Sequence, residues 1–312
     1  MKALVIGATG FVGPYLAEAI KKYLYCDVTV TKLPHEKLTI PGVQIIDLNI
    51  LDEGQLMSVI SDEQPDYIFH LAAQSSVALS WEKPSLTVDV NVKGALNVLD
   101  TLLSLRSGIR VLVVGSGEEY GYVEEKMIPI NEGAALEPGN VYAVTKATQN
   151  MMATIYAQAY GLSLTMTRSF NHIGPGQTDR FVISSFCSQV VKIEKGLQEP
   201  VIRVGNLTAK RDFTDVRDVV HAYTMLAQYG KPGETYNVGR GEAVAIQDVL
   251  RMILSKSTMD IDVYVDPERL RPVDVPVIEA DITKIKRDTG WKPEISLEKS
   301  IEDTLDYWRR IL

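Results

Sequence analysis

The chain begins Met1-Lys-Ala-Leu-Val-Ile-Gly7-Ala-Thr-Gly10-Phe-Val-Gly13. The apolar run before the first glycine is typical of a buried strand, and the residues after the third glycine form an amphipathic helical pattern to about Tyr23. At such a junction, the unpaired N–H groups and the dipole of the helix favour an anion. The stretch therefore predicts a βα turn that binds the pyrophosphate of a dinucleotide.

Each glycine of this turn has a separate role. Gly7 allows the tight turn, Gly10 lets a pyrophosphate approach the backbone, and Gly13 permits close packing of the helix on the strand. The remaining residues that we assign to the same cofactor-binding turn are Thr9, Phe11 and Val12.

Short apolar runs alternate with helical patterns through the first half of the chain. The predicted strands are Ala3–Ile6, Val28–Thr31, Val43–Ile46, Tyr67–Leu71, Val111–Val114 and Leu164–Thr167. This alternation predicts an α/β fold, a doubly wound parallel sheet of the Rossmann type with crossover helices. Ligands of such sheets bind beyond the carboxyl ends of the strands, where Asp47, Ser116 and Asn171 are expected.

The composition fits a globular protein with two lobes. The chain has 312 residues, of which 46% are hydrophobic and 23% charged, with a net charge of −8 that argues against a nucleic-acid surface. No apolar run approaches a membrane span, and the start lacks a basic leader, so we expect no membrane association. Two cysteines are too few for a disulfide framework and predict a reducing compartment, hence a cytoplasmic location. No metal site is predicted.

Ser116, Tyr142 and Lys146 form the candidate catalytic group. Tyr142 and Lys146 lie one helical turn apart, so both side chains face one pocket. Because a neighbouring ammonium favours the phenolate, we expect Lys146 to lower the pKa of Tyr142 from about 10 toward neutrality, and Ser116 to hold the reacting oxygen. Tyr122 and Lys126 share this spacing, but they precede a proline in an irregular segment. For an isolated Tyr-x-x-x-Lys, an ordinary helical pair is the simpler interpretation.

The glycine turn together with Ser116, Tyr142 and Lys146 resembles the extended short-chain dehydrogenase/reductase enzymes that act on nucleotide sugars. The resemblance covers essentially the whole chain. It implies a dinucleotide-binding domain over residues 1–172, with a return of 214–240, and a smaller C-terminal α/β substrate lobe over 173–312. It also implies a homodimer through the helices near Asn91 and Tyr142, with Asn91 helping to order the active site.

The end of the second strand bears on the choice of cofactor. Thr31-Lys32 offers no carboxylate for a ribose 2′-hydroxyl, and a cation there tolerates a 2′-phosphate, so we expect NADP(H) to be preferred, with NAD(H) as the alternative. A solvated loop lysine is the competing interpretation of Lys32. The resemblance adds further cofactor contacts, which are Asp47, Leu48, Leu71, Ala72, Ala73, Tyr142, Lys146 and His172. His70 is interpreted as a core histidine.

Polar residues across the chain are assigned to a GDP-sugar substrate by the resemblance, although surface salt bridges remain the simpler interpretation of each arginine alone. Arg211 and Arg271 are expected to bind the diphosphate, and Asp274 the guanine or ribose. The other expected contacts are Gln74, Ser75, Ser116, Glu118, Tyr142, Asn171, Arg180 and Val182.

Two stretches discriminate between branches of this family. Dehydratases carry an acid pair or a Ser-Glu pair after the catalytic hydroxyl residue, whereas this chain has Gly117 and Glu118. Arg168-Ser-Phe-Asn-His-Ile-Gly-Pro-Gly-Gln177 resembles a segment of GDP-6-deoxy-D-mannose reductases. The resemblance therefore implies reduction of GDP-4-dehydro-6-deoxy-D-mannose, with Glu118 either binding sugar hydroxyls or giving residual dehydratase activity. A dehydratase, a cofactor-recycling epimerase and a dinucleotide-sensing protein remain as alternatives.

Overall fold

The computed structural model of the protein describes residues 1–105, 108–269 and 275–312. Within these residues, the strands are β1 (Lys2–Ile6), β2 (Asp27–Lys32), β3 (Gln44–Asp47), β4 (Tyr67–His70), β5 (Arg110–Ser116), β6 (Leu164–Ser169), β7 (Asn171–Ile173), β8 (Val201–Val204), β9 (Lys210–Asp215), β10 (Thr235–Val238), β11 (Ala243–Ala245), β12 (Asp262–Val265) and β13 (Val277–Ile278).

The α-helices of the same residues are α1 (Val12–Ala19), α2 (Glu53–Glu63), α3 (Val77–Glu82), α4 (Pro84–Val88), α5 (Gly94–Ser104), α6 (Val141–Tyr160), α7 (Val182–Glu194), α8 (Val216–Tyr229), α9 (Ile246–Leu254), α10 (Thr283–Thr289) and α11 (Leu297–Ile311). Two π-helical segments extend α1 and α4, at Ile20–Leu24 and Asp89–Lys93. A short 3₁₀ turn, Gly117–Tyr120, follows β5.

The central sheet has seven strands in the order β10-β6-β5-β4-β1-β2-β3. Every neighbouring pair in it is parallel. The order changes direction between β1 and β4, and a crevice beyond the carboxyl ends of the strands at such a point is the usual ligand site of an open α/β sheet. The predicted fold class, a doubly wound parallel sheet, is therefore confirmed.

Apolar side chains cover both faces of this sheet. One core joins the sheet to α1 and α8, with Leu16 and Tyr223 fully buried. The other joins it to α2, α5 and α6, with Leu56 and Leu102 buried there. A parallel sheet buried on both faces explains why its strands appear in the sequence as continuous apolar runs.

The smaller lobe has its own core between α7, α9 and α11. Strand β9 pairs with β7, β11 and β13, while β8 and β12 form a separate ribbon. The indole of Trp308 donates to the Ser184 hydroxyl at 3.0 Å and so fastens α11 to α7. Because β7 follows β6 after a single residue, the lobe is attached directly at the carboxyl end of the central sheet.

The predicted strands match the observed ones to within two residues at each end. The first helix extends one residue past its predicted end at Tyr23. Its last turn is π-helical, because α1 ends at Ala19 and the segment Ile20–Leu24 continues it. Strand β10 lies within the predicted return of residues 214–240 and beside β6 in the central sheet. In the described ranges, no helix combines the length and apolar character that a membrane crossing requires.

Candidate active site

The glycine turn after β1 is shaped by two close backbone approaches. Gly7 has a φ of +87°, and a Cβ there would lie 2.5 Å from the Cα of Ala72. A Cβ on Gly13 would lie 2.0 Å from the carbonyl oxygen of Ala8. Gly10 has no heavy atom within 4 Å of such a Cβ, so its backbone faces open space beyond the strand ends. The turn therefore presents an accessible helix N-terminus, as an anion site requires.

Phe11 and His172 bring this turn against the start of the smaller lobe. Their rings are parallel to within 3° with centroids 6.1 Å apart. The Nδ1 of His172 lies 3.1 Å from the Phe170 carbonyl, which can only accept, so this nitrogen carries the proton. Burial lowers the pKa of His172, and the ring is therefore neutral around pH 7.

The strand ends next to the turn pair a cation with an anion. Lys32 and Asp47 face each other in the β2–β3 register, and the Lys32 ammonium bonds the Asp47 carboxylate. Lys32 is largely buried while Asp47 is half exposed. Lys32 is thus fixed in place, which contradicts the interpretation of a solvated loop lysine. Leu48 is buried behind the pair, and its N–H donates to the Lys32 carbonyl.

The candidate catalytic residues lie together at the carboxyl end of β5. Ser116 ends that strand and caps the following turn, accepting from the Glu118 N–H at 3.2 Å. Tyr142 lies in the first turn of α6, which Asn140 caps by accepting from the Ala143 N–H at 2.9 Å. The Ser116 side chain lies close enough to Tyr142 to oppose the rise in the pKa of its phenol. Lys146 follows one turn later, and its ammonium donates to the Val114 carbonyl at 2.7 Å.

The expected pKa relation between Tyr142 and Lys146 is wrong in direction. Burial raises the pKa of Tyr142 above its ordinary value, and Glu118 and Glu119 add to this, while the Ser116 hydrogen bond opposes it. Burial also lowers the pKa of Lys146 to about 8, with Glu119 opposing. The physical reason is desolvation, since the ammonium is directed at a backbone carbonyl rather than at the phenol. Tyr142 therefore stays protonated around neutrality.

Asn91 orders this region from the π-helical segment after α4. Its side chain is 0% exposed. It accepts from the Gln74 N–H at 2.7 Å and donates to the Gln74 carbonyl and the Thr145 hydroxyl, both at 3.0 Å. It thereby ties the loop after β4 to the helix that carries Tyr142, as expected of an ordering residue.

Gln74, which we predict to contact the substrate, has protein partners for its side-chain amide. Its amide nitrogen donates to Thr87 at 2.9 Å and to the Ser76 carbonyl at 3.1 Å. Its oxygen accepts from the Ser76 N–H at 2.6 Å. The amide is satisfied within the loop because three polar groups of neighbouring residues surround it. Ser75, the next residue, is exposed.

Gly117 packs closely against an aromatic ring. A Cβ at this position would lie 3.3 Å from two ring atoms of Phe170. Glu118, the next residue, is half buried, and its carboxylate accepts from the Asn140 amide at 3.2 Å. Glu118 therefore lies near Tyr142, whereas Gly117 offers no side chain at the position where an acid pair has its first member.

The residues predicted to bind the substrate are spread over several elements of the smaller lobe. Asn171 and Arg180 are exposed, and Val182 is the first residue of α7. Arg211 on β9 directs its guanidinium to the Val275 carbonyl at 2.7 Å. Arg271 and Asp274 lie outside the described residues. Leu71 and Ala72 donate their N–H groups to the Ile6 carbonyl, and with Ala73 they border the glycine turn.

Two features of the site were missed in the sequence. Glu119 is 0% exposed beneath Ser116 and pairs with Arg168 at 3.0 Å. Glu119 directly follows Glu118, and Arg168 is the first residue of a stretch that we quoted, but neither of these positions in the sequence signals burial. The second feature is a cavity of about 430 Å³ between α7 and β8, with Gln189, Arg203 and Arg269 in its wall.

The comparisons with known proteins agree with this geometry. The profile of the GDP-mannose 4,6-dehydratase family matches residues 4–304. The chain belongs to this family. A GDP-6-deoxy-D-mannose reductase of Pseudomonas aeruginosa is 32% identical over 307 residues, which cover 98% of this chain and 97% of that protein.

Solved structures extend the likeness to the fold. The structure of RMD from Pseudomonas aeruginosa complexed with NADPH superposes with a TM-score of 0.88 and 30% identity, covering 100% of both chains. A UDP-glucose 4-epimerase of Thermotoga maritima with UDP-glucose gives a TM-score of 0.90 at 26% identity, covering 99% of both chains.

The substitution Asn91→Ala is predicted to destabilise the protein by at least about 2 kcal/mol, because it leaves buried backbone and hydroxyl groups of Gln74 and Thr145 without partners. Urea unfolding followed by circular dichroism measures this. Asn131→Ala is the matched control, since its amide accepts from Gly133 in an exposed turn. An equal loss in both variants would contradict the ordering role of Asn91.

Proposed function

We propose that this protein reduces GDP-4-dehydro-6-deoxy-D-mannose to GDP-D-rhamnose. The observation that carries the proposal is Gly117, which packs against the Phe170 ring and has no side chain to act as the first acid of a dehydratase pair. The intact group of Ser116, Tyr142 and Lys146 supports an enzyme over a dinucleotide-sensing protein. The P. aeruginosa relative with the reductase name is similar over nearly the full length of both proteins.

The residues fit a nicotinamide dinucleotide at the glycine turn. Gly10 faces open space at a helix N-terminus, and the neutral His172 ring stacks on Phe11 at the edge of the same cleft. When bound, the reduced nicotinamide supplies the hydride for sugar carbon 4. Thr9 and Val12 complete the turn around the pyrophosphate.

The chain's own groups supply the proton and the geometry. Ser116 donates a hydrogen bond to the carbonyl oxygen and holds it beside Tyr142. Tyr142 then gives its proton to the oxygen as negative charge develops there. Its raised pKa keeps the phenol in the donating form at neutral pH. Lys146, still cationic below about pH 8, stabilises the phenolate that remains.

We propose that residues 1–172, with the return 214–240, bind the dinucleotide, and that residues 173–312 bind the GDP-sugar. The position of β10 in the central sheet supports the return. The cavity between α7 and β8 supports a nucleotide site in the smaller lobe, with Arg211 and Arg180 toward the diphosphate and Asn171 toward the sugar. Arg271 and Asp274 stay predictions for the same site.

The reaction is tested by incubating the protein with NADPH and GDP-4-dehydro-6-deoxy-D-mannose while the nicotinamide absorbance is followed. We expect oxidation of NADPH, a product identical to GDP-D-rhamnose, and a fall of about 10²–10⁴-fold in kcat for Tyr142→Phe. Tyr122→Phe, which has the same sequence spacing but is 61% exposed, is the control and should keep full activity. Absence of oxidation with NADPH and with NADH would refute the reductase.

A second candidate, GDP-mannose 4,6-dehydratase activity, is favoured by Glu118. Its carboxylate lies next to Ser116, and the matched family carries the dehydratase name. The same assay separates the two functions, since a dehydratase recycles its cofactor and converts GDP-mannose without added reductant. Glu118→Gln should abolish that conversion if Glu118 is its acid–base group.

We propose that NADP(H) is preferred over NAD(H), with Lys32 as the contact to the 2′-phosphate and Asp47 as the carboxylate that is paired with Lys32. Lys32→Met should raise the Kd for NADPH about tenfold, which is about 1.4 kcal/mol, and leave the Kd for NADH unchanged. Asp47→Asn removes a carboxylate that competes with the phosphate and should lower the Kd for NADPH. Fluorescence titration measures both. Equal changes for the two cofactors in Lys32→Met would disprove the assignment.

We propose a homodimer formed through α6 and α4. Apolar side chains at one-turn and two-turn spacings on α6 are exposed, namely Val144 at 48%, Met151 at 54% and Ile155 at 58%. Leu86 and Val88 on α4 are exposed as well.

Light scattering should give twice the chain mass of 34.6 kDa. Ile155→Asp should give monomers. The control Leu197→Asp, at an exposed position of the smaller lobe, should remain a dimer. A monomeric wild type would exclude the dimer.

A further inference from the structure

A fully buried carboxylate lies directly behind the catalytic hydroxyl. The Oε1 of Glu119 accepts from the backbone N–H of Ser116 at 2.8 Å. Its Oε2 accepts from the Asn150 amide at 2.9 Å and from the Arg168 Nε at 3.0 Å. One side chain thereby joins the turn after β5 to α6 and to β6.

The surrounding structure is shaped around this carboxylate. A Cβ on Gly115 would lie 2.4 Å from the Glu119 Oε1 and 2.2 Å from the Thr167 carbonyl oxygen, so only glycine fits there. Asn150 lies one helical turn beyond Lys146, and its oxygen accepts from Thr235 of β10 at 3.1 Å. The contact network therefore reaches the helix that carries Tyr142 and Lys146.

Arg168 occupies the far side of the carboxylate. Its Nη1 donates to the Tyr120 hydroxyl and to the Glu132 carbonyl, both at 3.1 Å. Its guanidinium also lies over the Tyr120 ring, 4.8 Å from the centroid. The cation is thus turned away from the catalytic group, and the anion is turned toward it.

Stability does not explain a buried ion pair at this place. Removing two charges from water costs free energy, and apolar residues of similar volume often give an equally or more stable core. Glu119 instead opposes the desolvation that lowers the pKa of Lys146 to about 8. From β4, His70 also faces Lys146, but its pKa is lowered to about 3 by burial and by Lys146, so it is neutral. Glu118 and, from α8, Tyr223 face Tyr142.

We propose that Glu119 is a positioning residue of this site: it orients Ser116 through the backbone N–H and supplies the negative charge that keeps the buried Lys146 cationic. The inference rests on the proposed reduction, in which Lys146 acts as a cation. It attributes the buried Glu119–Arg168 pair to the function of the turn after β5 rather than to the stability of the core.

The decisive variant is Glu119→Gln combined with Arg168→Met, because it removes both charges and leaves no unpaired arginine in the core. The alkaline limb of kcat, expected near pH 8 in the wild type, should move down by about one pH unit, with kcat at pH 8 about fivefold lower. The KM for NADPH should change little. A limb that stays at the wild-type pH would overturn the electrostatic role.

Two further variants separate charge from geometry. Glu119→Asp keeps the charge but draws the carboxylate back from the Ser116 N–H, so kcat should fall while the alkaline limb of kcat stays at the wild-type pH. An unchanged kcat in this variant would overturn the positioning role. That test holds even if the double variant does not fold. Asp218→Asn alters another buried carboxylate that accepts two backbone N–H groups. This control should lower stability without moving the limb.

A titration without substrate makes the inference independent of the reaction. NMR of lysine labelled at Cε reports the pKa of Lys146 directly, and the signal is assigned by its loss in Lys146→Met. A lower pKa in the double variant is expected. If the wild type fails to oxidise NADPH, the proposed function fails, but this titration still decides whether Glu119 sets the charge of Lys146.

Discussion

One backbone carbonyl of β5 accepts two hydrogen bonds from α6, the helix that carries Tyr142 and Lys146. The oxygen of Val114 accepts from the Lys146 ammonium at 2.7 Å and from the Gln149 amide at 3.1 Å. The same strand ends two residues later in Ser116, so this contact fixes the helix carrying Tyr142 relative to the hydroxyl that Tyr142 must meet. The parallel sheet makes the arrangement rigid, since β5 is paired on both sides.

Desolvation controls the protonation of this site. A phenol near a cation in water would become more acidic, but here both groups are buried and each is driven toward its neutral form. The neutral phenol is the form that gives up a proton, and the ammonium is kept only through nearby anions and acceptors. The site is therefore organised for protonating an alkoxide rather than for abstracting a proton from an alcohol.

The sequence was sufficient for the fold, and it also nominated the members of the candidate site, because both depend on local patterns. Strands buried on two faces appear as apolar runs, and the helix turn from Tyr142 to Lys146 sets a spacing. The direction of a pKa shift depends instead on depth, which spacing does not contain. For the same reason, the internal role of Gln74 and the burial of Glu119 became visible only when strands and loops distant in the chain were brought together.

The packing of Phe170 on Gly117 couples two positions of the chain. A Cβ at residue 117 would lie 3.3 Å from the Phe170 ring, so a side chain there requires this ring to shift by a few tenths of an ångström. The ring also contacts Tyr120, with centroids 6.1 Å apart, and that contact has to follow the shift. Evolutionary passage between the two reaction types on this scaffold therefore involves the aromatic position as well as the position that would carry the acid.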